Sequence, residues 1–321
     1  MKPEVMRSIF EKACSYIRCD YIDREFILEK WASIEAAYSA RVTELSERKD
    51  FEAMMSQMVS DELDLSHCQF ITPQLRQEIE AQSIPETAPS IFQTVFKTTH
   101  EYSYLKISTF QIPLFQRAPI YQNLKSIHDC QRPLILDFRL NSGGSISATG
   151  DLLAPFIGAD TIYCYSKLAN WEEFPDPQVA YPLQEEENEG SRLDVEMTLK
   201  HPHLQWRTPK EIEFSLKQEV LLLIDKRNYS CGEVFSQTMK EMGRCKLIGN
   251  VTSGSVVGAK DDYDCGHGYE LLLPYLNLVS PEQFRIEGQG VHPHTKKTFQ
   301  TPDTSPLPHE EILEILKQDI S

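Results

Sequence analysis

The sequence predicts a small helical N-terminal domain followed by an α/β domain on a largely parallel sheet, and three observations carry that prediction. Residues 4 to about 64 hold apolar side chains at helical spacing. From about residue 90, strand-like and helix-like segments alternate. The run EVLLLIDKR at 219–227 is almost continuously apolar between charges, as befits a strand covered on both faces.

In the helical part, taken as residues 1–88, Ile9, Ala13, Tyr16 and Ile17 share one face, and Phe26, Ile27, Trp31, Ile34 and Tyr38 share another. A third helix, roughly 49–63, groups Phe51, Met54, Met55 and Met58. Such stripes are the packing faces of helices rather than a ligand box. The domain runs into LDLSHCQFI, and a short helix is expected after Pro73. In the second part, residues 89–321, YSYLKIST (102–109) and PLILDFRL (133–140) are strands, with YQNLKSIHDC helical between them. NSGG and a helix over SATGDLLAPFIG follow, and CKLIGN (245–250) and YELLLPYLNLV (269–279) complete the strands. The stretch 168–217 includes EEFPDPQVAYPLQEEENEGSR and reads as an acidic, partly mobile surface insertion.

With 32 Lys and Arg against 48 Asp and Glu, the chain carries a net charge of −16, which repels phosphate backbones and anionic lipid. Neither nucleic acid nor membrane is an expected partner. No stretch approaches the length of an apolar membrane span, and the N-terminus lacks the apolar core of a signal peptide. Eight cysteines without a CxxC pair fit free thiols in a reducing compartment, so a cytoplasmic location is expected. His201 and His203, and His292 and His294, each flank a proline with no Cys or carboxylate at ligand spacing. DDYDCGHG (261–268) lacks calcium-loop spacing and reads as a turn. No metal and no cofactor is implied.

Two short stretches carry the chemistry. After VLLLID the chain reads RNYSCGEVFSQTMKEMG (227–243), in which Val234, Phe235, Thr238, Met239 and Met242 form one helical face and Gly243 a stop. Ser230 thus stands where a strand hands over to a helix. It can cap that helix in an S-x-x-E box with Glu233, or project its hydroxyl over the sheet's C-terminal edge as a nucleophile. On this stretch alone the cap is the commoner arrangement. The second stretch, DFRLNSGG (137–144), ends a strand in two glycines, which permit close approach or positive φ. Alone it is a turn.

Together the two stretches resemble the signature of the C-terminal processing peptidase and tricorn protease family. The D-x-R-x-N-x-G-G strand end is Asp137 to Gly144, and the S-A-[SA]-E helix start is Ser230 to Glu233. GRCKLIGNVTSG (243–254) and IEGQGVHP (286–293) are similar to two further family motifs, in order. The resemblance covers about residues 100–300. It implies a ClpP/crotonase-like ββα spiral core and a serine peptidase acting on a peptide or protein.

The departures matter. In the processing peptidases a lysine after T-x-G is the general base; here that position is Ser255, and Lys260 lies five residues on. The tricorn branch uses a Ser-His pair and a closing Glu instead, and this chain has Ser66-His67 and Glu287. The resemblance therefore implies a Ser-His-Ser-Glu tetrad, with Ser230 as nucleophile and His67 as general base and acid. Ser66 and Glu287 would orient His67 and stabilise its cation. The oxyanion hole falls to Gly143 or Gly144 with Cys231. His100 is the rival base, and Cys231 a rival reactive thiol. The stretch between His67 and the first core strand is too short for the family's PDZ module, and the 168–217 segment is a candidate lid in its place. Two alternatives stay open: an inactive ligand- or peptide-binding relative, and a peptide-tailoring enzyme that passes the acyl group to an amine. A homo-oligomer is also left open.

Overall fold

The computed structural model describes residues 1–82, 94–111, 114–169, 171–182 and 190–319. Its first helices are α1 (Pro3–Asp20), α2 (Arg24–Phe26), α3 (Ala32–Glu44) and α4 (Arg48–Glu62), with a π-helical turn at Ile27–Trp31. Strand β1 (Gln69–Ile71) and α5 (Pro73–Gln82) follow. Next come β2 (Val95–Thr98), β3 (Ser103–Lys106), α6 (Leu114–Cys130), β4 (Leu134–Asp137) and α7 (Ile146–Ile157). Then β5 (Ile162–Leu168), β6 (Gln178–Ala180), α8 (Gly190–Lys200), β7 (His203–Arg207), β8 (Val220–Ile224) and α9 (Cys231–Glu241). The chain closes with β9 (Lys246–Gly249), β10 (Val257–Gly266), β11 (Tyr269–Val279), β12 (Thr295–Lys296) and α10 (His309–Asp319).

The chain divides into two compact units. One comprises residues 1–89, 168–170 and 257–277, and the other 90–167, 171–256 and 278–321. In the first unit, Pro3 opens α1 where its missing N–H costs nothing, and Met6, Ile9, Phe10, Ala13 and Ile17 form the buried stripe. That stripe joins Phe51, Met54, Met55 and Met58 of α4 in one core. The strand expected at 269–279 belongs to this core and not to the parallel sheet. β11 pairs antiparallel with β1 and β10, and Tyr269, Leu271 and Leu273 are 2% exposed or less. Its apolar alternation is the same in either setting; only long-range pairing decides. The DDYDCGHG stretch, expected as a turn, is the end of β10 plus the turn into β11.

The second unit is built on a six-stranded sheet in the order β12-β9-β8-β4-β3-β2. Strands β3, β4, β8 and β9 are parallel, and β2 returns antiparallel on β3. All five residues of β8 are at most 1% exposed; Leu307, with Ile312 and Ile315 of α10, packs on Leu221 and Leu223, and α7 and α9 pack with each other in the same unit. Within the 168–217 segment, expected as an acidic, partly mobile surface insertion, the described parts include buried structure. β7 pairs with β5 and β6, Leu204, Trp206 and Leu216 are buried, and the Trp206 indole donates to Ser166 Oγ at 2.9 Å. The acidic stretch 183–189 lies outside the described residues.

Candidate active site

The site grows from the C-terminal edge of the parallel sheet. β4 ends in Asp137, whose carboxylate takes a fork of hydrogen bonds from Arg139 (3.0 and 2.8 Å) and one from Tyr104 (2.5 Å). Arg139 also donates to the carbonyls of Thr301 and Ser305, both at 3.0 Å, and its guanidinium lies 4.8 Å over Phe299. Asp137 and Arg139 are at most 1% exposed. This D-x-R pair is therefore a buried clasp that ties the C-terminal segment to β4 and fixes the start of the next loop.

That loop turns through Leu140 (φ 63°), Gly143 (φ 74°) and Gly144 (φ 143°). Asn141 pins it: its amide donates to Ile107 (2.8 Å), its Oδ1 accepts from Gly143 N–H (2.9 Å), and its carbonyl accepts from Tyr229 N–H (2.8 Å). The last bond joins the loop to the turn after β8. A Cβ on Gly143 would stand 2.6 Å from Ser230 Cβ and 2.9 Å from Cys231 N, so glycine there lets the two loops meet. Gly232 is required for the same reason, since a Cβ would come within 2.1 Å of Asn228 Oδ1.

Ser230 sits at that junction, half-buried, with φ 50° and ψ −123°. A non-glycine residue held there stores about 1–3 kcal/mol of strain, and such outliers cluster at functional sites. Strand, sharp strained turn and helix place the serine as a nucleophile elbow does. The Cys231 N–H, at the first position of α9, and the Gly144 N–H have no acceptor among the described residues, whereas Gly143's is held by Asn141. The Cys231 thiol donates to Gly144 O at 3.0 Å, and desolvation pushes its pKa up to about 12, so it is no nucleophile at neutral pH.

Glu233 does more than close a capping box. It accepts from Ser230 N–H (3.2 Å), but also from Thr252 Oγ1 (2.5 Å), Ser253 Oγ (3.0 Å), Gly254 N–H (2.7 Å) and Ser255 N–H (2.9 Å). Burial pushes its carboxyl pKa up, against the downward pull of those donors. It binds the 252–255 loop to the Ser230 turn, and Ser255 O in turn accepts Ser230 N–H at 3.0 Å. The next residue, Val256, donates to Glu287 Oε2 at 2.5 Å, and Glu287 is 6% exposed. Residue 255, where the dyad enzymes carry lysine, thus touches Ser230 and offers only a serine. The Lys260 ammonium lies 4.3 Å over the Tyr263 ring, in the helical unit.

His67 and Ser66 also belong to the helical unit, in the turn between α4 and β1. Ser66 Oγ lies 2.7 Å from His67 Nδ1, and His67 is exposed with φ 62°. His100 is placed at the wrong end of the second unit. It lies in the β2–β3 turn, at the N-terminal edge of the strands that deliver Ser230 at their C-terminal edge, roughly 10 Å of strand away or more. An open depression of about 550 Å³ lined by Lys97, His100, Arg132 and His309 lies there too, remote from the elbow. His203 and His294 are engaged with backbone groups, through Phe174 and Pro175 carbonyls and Leu247 N–H respectively. Sequence reasoning missed the bridging roles of Asn141 and Glu233, although both stand inside the quoted motifs.

Comparison with known proteins agrees with this architecture. The model of peptidase family S41 matches residues 101–297, and that of the tricorn protease C1 domain matches residues 3–60. Among solved structures, the photosystem II D1 C-terminal processing protease superposes with a TM-score of 0.62 at 13% identity, covering 98% of each chain. A lipoprotein from Streptococcus agalactiae gives 0.59 at 14% identity, over 98% of this chain and 97% of the other. The tricorn protease gives 0.54 at 14% identity over 92% of this chain and 34% of its own length. These likenesses show a shared mixed α/β fold with an N-terminal helical region. With the family model spanning most of the chain on top of a serine elbow, the protein belongs to peptidase family S41 and is a serine-type peptidase.

Proposed function

We propose that the protein hydrolyses peptide bonds through an acyl-enzyme on Ser230, with His67 as general base and acid and Ser66 and Glu287 as its orienting partners. The observation that carries the reading is Ser230 itself, strained at a strand-to-helix turn and packed against the NSGG loop. Lysine is missing at position 255 and Lys260 is engaged elsewhere, which leaves the base to an imidazole. For His67 to accept a proton at Nε2, its neutral ring must carry hydrogen on Nδ1, and Ser66 Oγ at 2.7 Å is the acceptor for it.

In the first step the Ser230 oxygen bonds to the substrate carbonyl carbon while its proton passes to His67 Nε2. The carbonyl oxygen becomes an oxyanion and takes hydrogen bonds from Gly144 N–H and Cys231 N–H. Collapse breaks the C–N bond, and the imidazolium returns its proton to the leaving amine. Water, deprotonated by His67, then releases the acid and restores the serine. Peptides or proteins are the substrates. The eight free thiols support a reducing, cytoplasmic setting, and no helix among the described residues is long and apolar enough to cross a membrane.

Hydrolysis of fluorescein-labelled casein and a mixed peptide library tests the reading. Ser230→Ala and His67→Ala should each lower turnover by about 10³-fold or more. A His67→Ala protein that cleaves like the parent would remove His67 from the mechanism, and a fully active Ser230→Ala would remove the nucleophile.

A further inference from the structure

We infer that Asp194 is a positioning residue for the Gly144 N–H, which makes helix α8 part of the catalytic apparatus; this rests on the reading of Ser230 as nucleophile and Gly144 as an oxyanion donor. Asp194 is 6% exposed and reaches the start of α7 from 49 residues further along the chain. Its Oδ2 accepts from Ser145 Oγ (2.8 Å) and Ser147 N–H (3.3 Å), and its Oδ1 accepts from Ser147 Oγ. Both serines are buried, at 4% and 0% exposure, so these donors have no water to turn to. The carboxylate also lies at the positive end of α7.

Ser145 follows Gly144 directly, which is how the contact reaches the chemistry. Upstream, the Gly143 carbonyl accepts from Phe110 N–H (2.7 Å) and Thr109 Oγ1 (2.8 Å). Because a trans peptide opposes its C=O and N–H, those bonds aim the Gly144 N–H away from Phe110 and Thr109. Downstream, Ser145 N–H donates to Phe110 O (3.1 Å), and Ser145 Oγ accepts from Ala148 N–H (3.1 Å) while donating to Asp194. Gly144 has the wide conformational freedom of glycine, and it keeps one orientation only while both flanks are fixed. Asp194 supplies the side-chain anchor of the downstream flank. A simple helix cap would be complete with the Ser145–Ala148 bond alone; a buried carboxylate brought in from another helix adds rigidity at the residue beside the oxyanion donor.

The test measures the second-order rate of fluorophosphonate labelling at Ser230 between about pH 5 and pH 9, on the full chain and on D194N, S145A and S147A, with thermal melts alongside. D194N and S145A should lower the plateau rate by roughly 10-fold or more, as loss of an aligned oxyanion donor does. The pH midpoint, which reports the base, should stay where it is. S147A removes one bond to the same carboxylate but leaves those from Ser145 Oγ and Ser147 N–H, so it should fall clearly less than D194N or S145A. Should D194N not melt cooperatively, S145A decides, since it leaves the Asp194–Ser147 bonds in place. The inference is overturned if Ser230 labels normally in S145A and D194N, if their midpoints shift, or if S147A falls as far. Absence of labelling in the unaltered chain would instead sink the nucleophile reading itself, and the inference with it.

Discussion

Replacing Glu233 separates a helix cap from a hub. Its carboxylate is fully buried and has five donors, of which two have alternatives. Ser230 N–H also donates to Ser255 O, and the half-buried Ser253 hydroxyl can turn to water. Three have no other acceptor among the described residues in Glu233→Ala: Gly254 N–H, Ser255 N–H and Thr252 Oγ1. At about 1–1.5 kcal/mol each, their loss sums to roughly 3–4.5 kcal/mol. Loss of a capping box alone costs about 1 kcal/mol. Glu233→Gln keeps Oε1 for Thr252 and Gly254 but turns an amide N–H₂ toward Ser255, so about 1–2 kcal/mol is expected. Urea melts of the parent and both variants give the values. A cost near 1 kcal/mol for Glu233→Ala, no larger than that for Glu233→Gln, would refute the hub and leave only the cap.

Three further outcomes are expected. Arg139→Lys keeps the charge but cannot span Asp137 and the Thr301 and Ser305 carbonyls at once, so it should cost about 2 kcal/mol or more and open the 299–319 segment to limited proteolysis. Gly143→Ala puts a methyl among Ser230 Cβ, Tyr229 O and Cys231 N at positive φ; peptide hydrolysis should fall by about 100-fold or more, out of proportion to the change in melting temperature. Cys231, with its pKa near 12 and 3% exposure, should resist iodoacetamide at pH 8 in folded protein, as peptide mapping by mass spectrometry will read, while exposed Cys19 is modified.

Much of the second unit was legible because its signals are local. VLLLI, a short apolar run between charges, reads as a strand buried on both faces, and the stripe Val234, Phe235, Thr238 and Met239 marks the helix after Ser230. The glycines of NSGG announce a close approach, and it is made against Ser230. The strand at 269–279 was assigned to the wrong partner set, since alternation says which face is buried but not what buries it. In residues 168–217 the composition, rich in Glu, Pro and Asn, hides Leu204, Trp206 and Leu216, which are buried in and after β7. Asp194 left no trace in the sequence, because a carboxylate in an acidic stretch looks solvated until its partners, 47 and 49 residues away, fold onto it. Glu233 was visible as a cap and invisible as a hub for the same reason: its further partners lie about 20 residues on.

The most direct test of the account is to map the fluorophosphonate adduct by mass spectrometry in the parent and in His67→Ala. The account predicts a single modified serine, Ser230, and a labelling rate at neutral pH at least about 100-fold lower when His67 is absent. An adduct on another residue, or a His67→Ala protein that labels Ser230 at the parent rate, would contradict it.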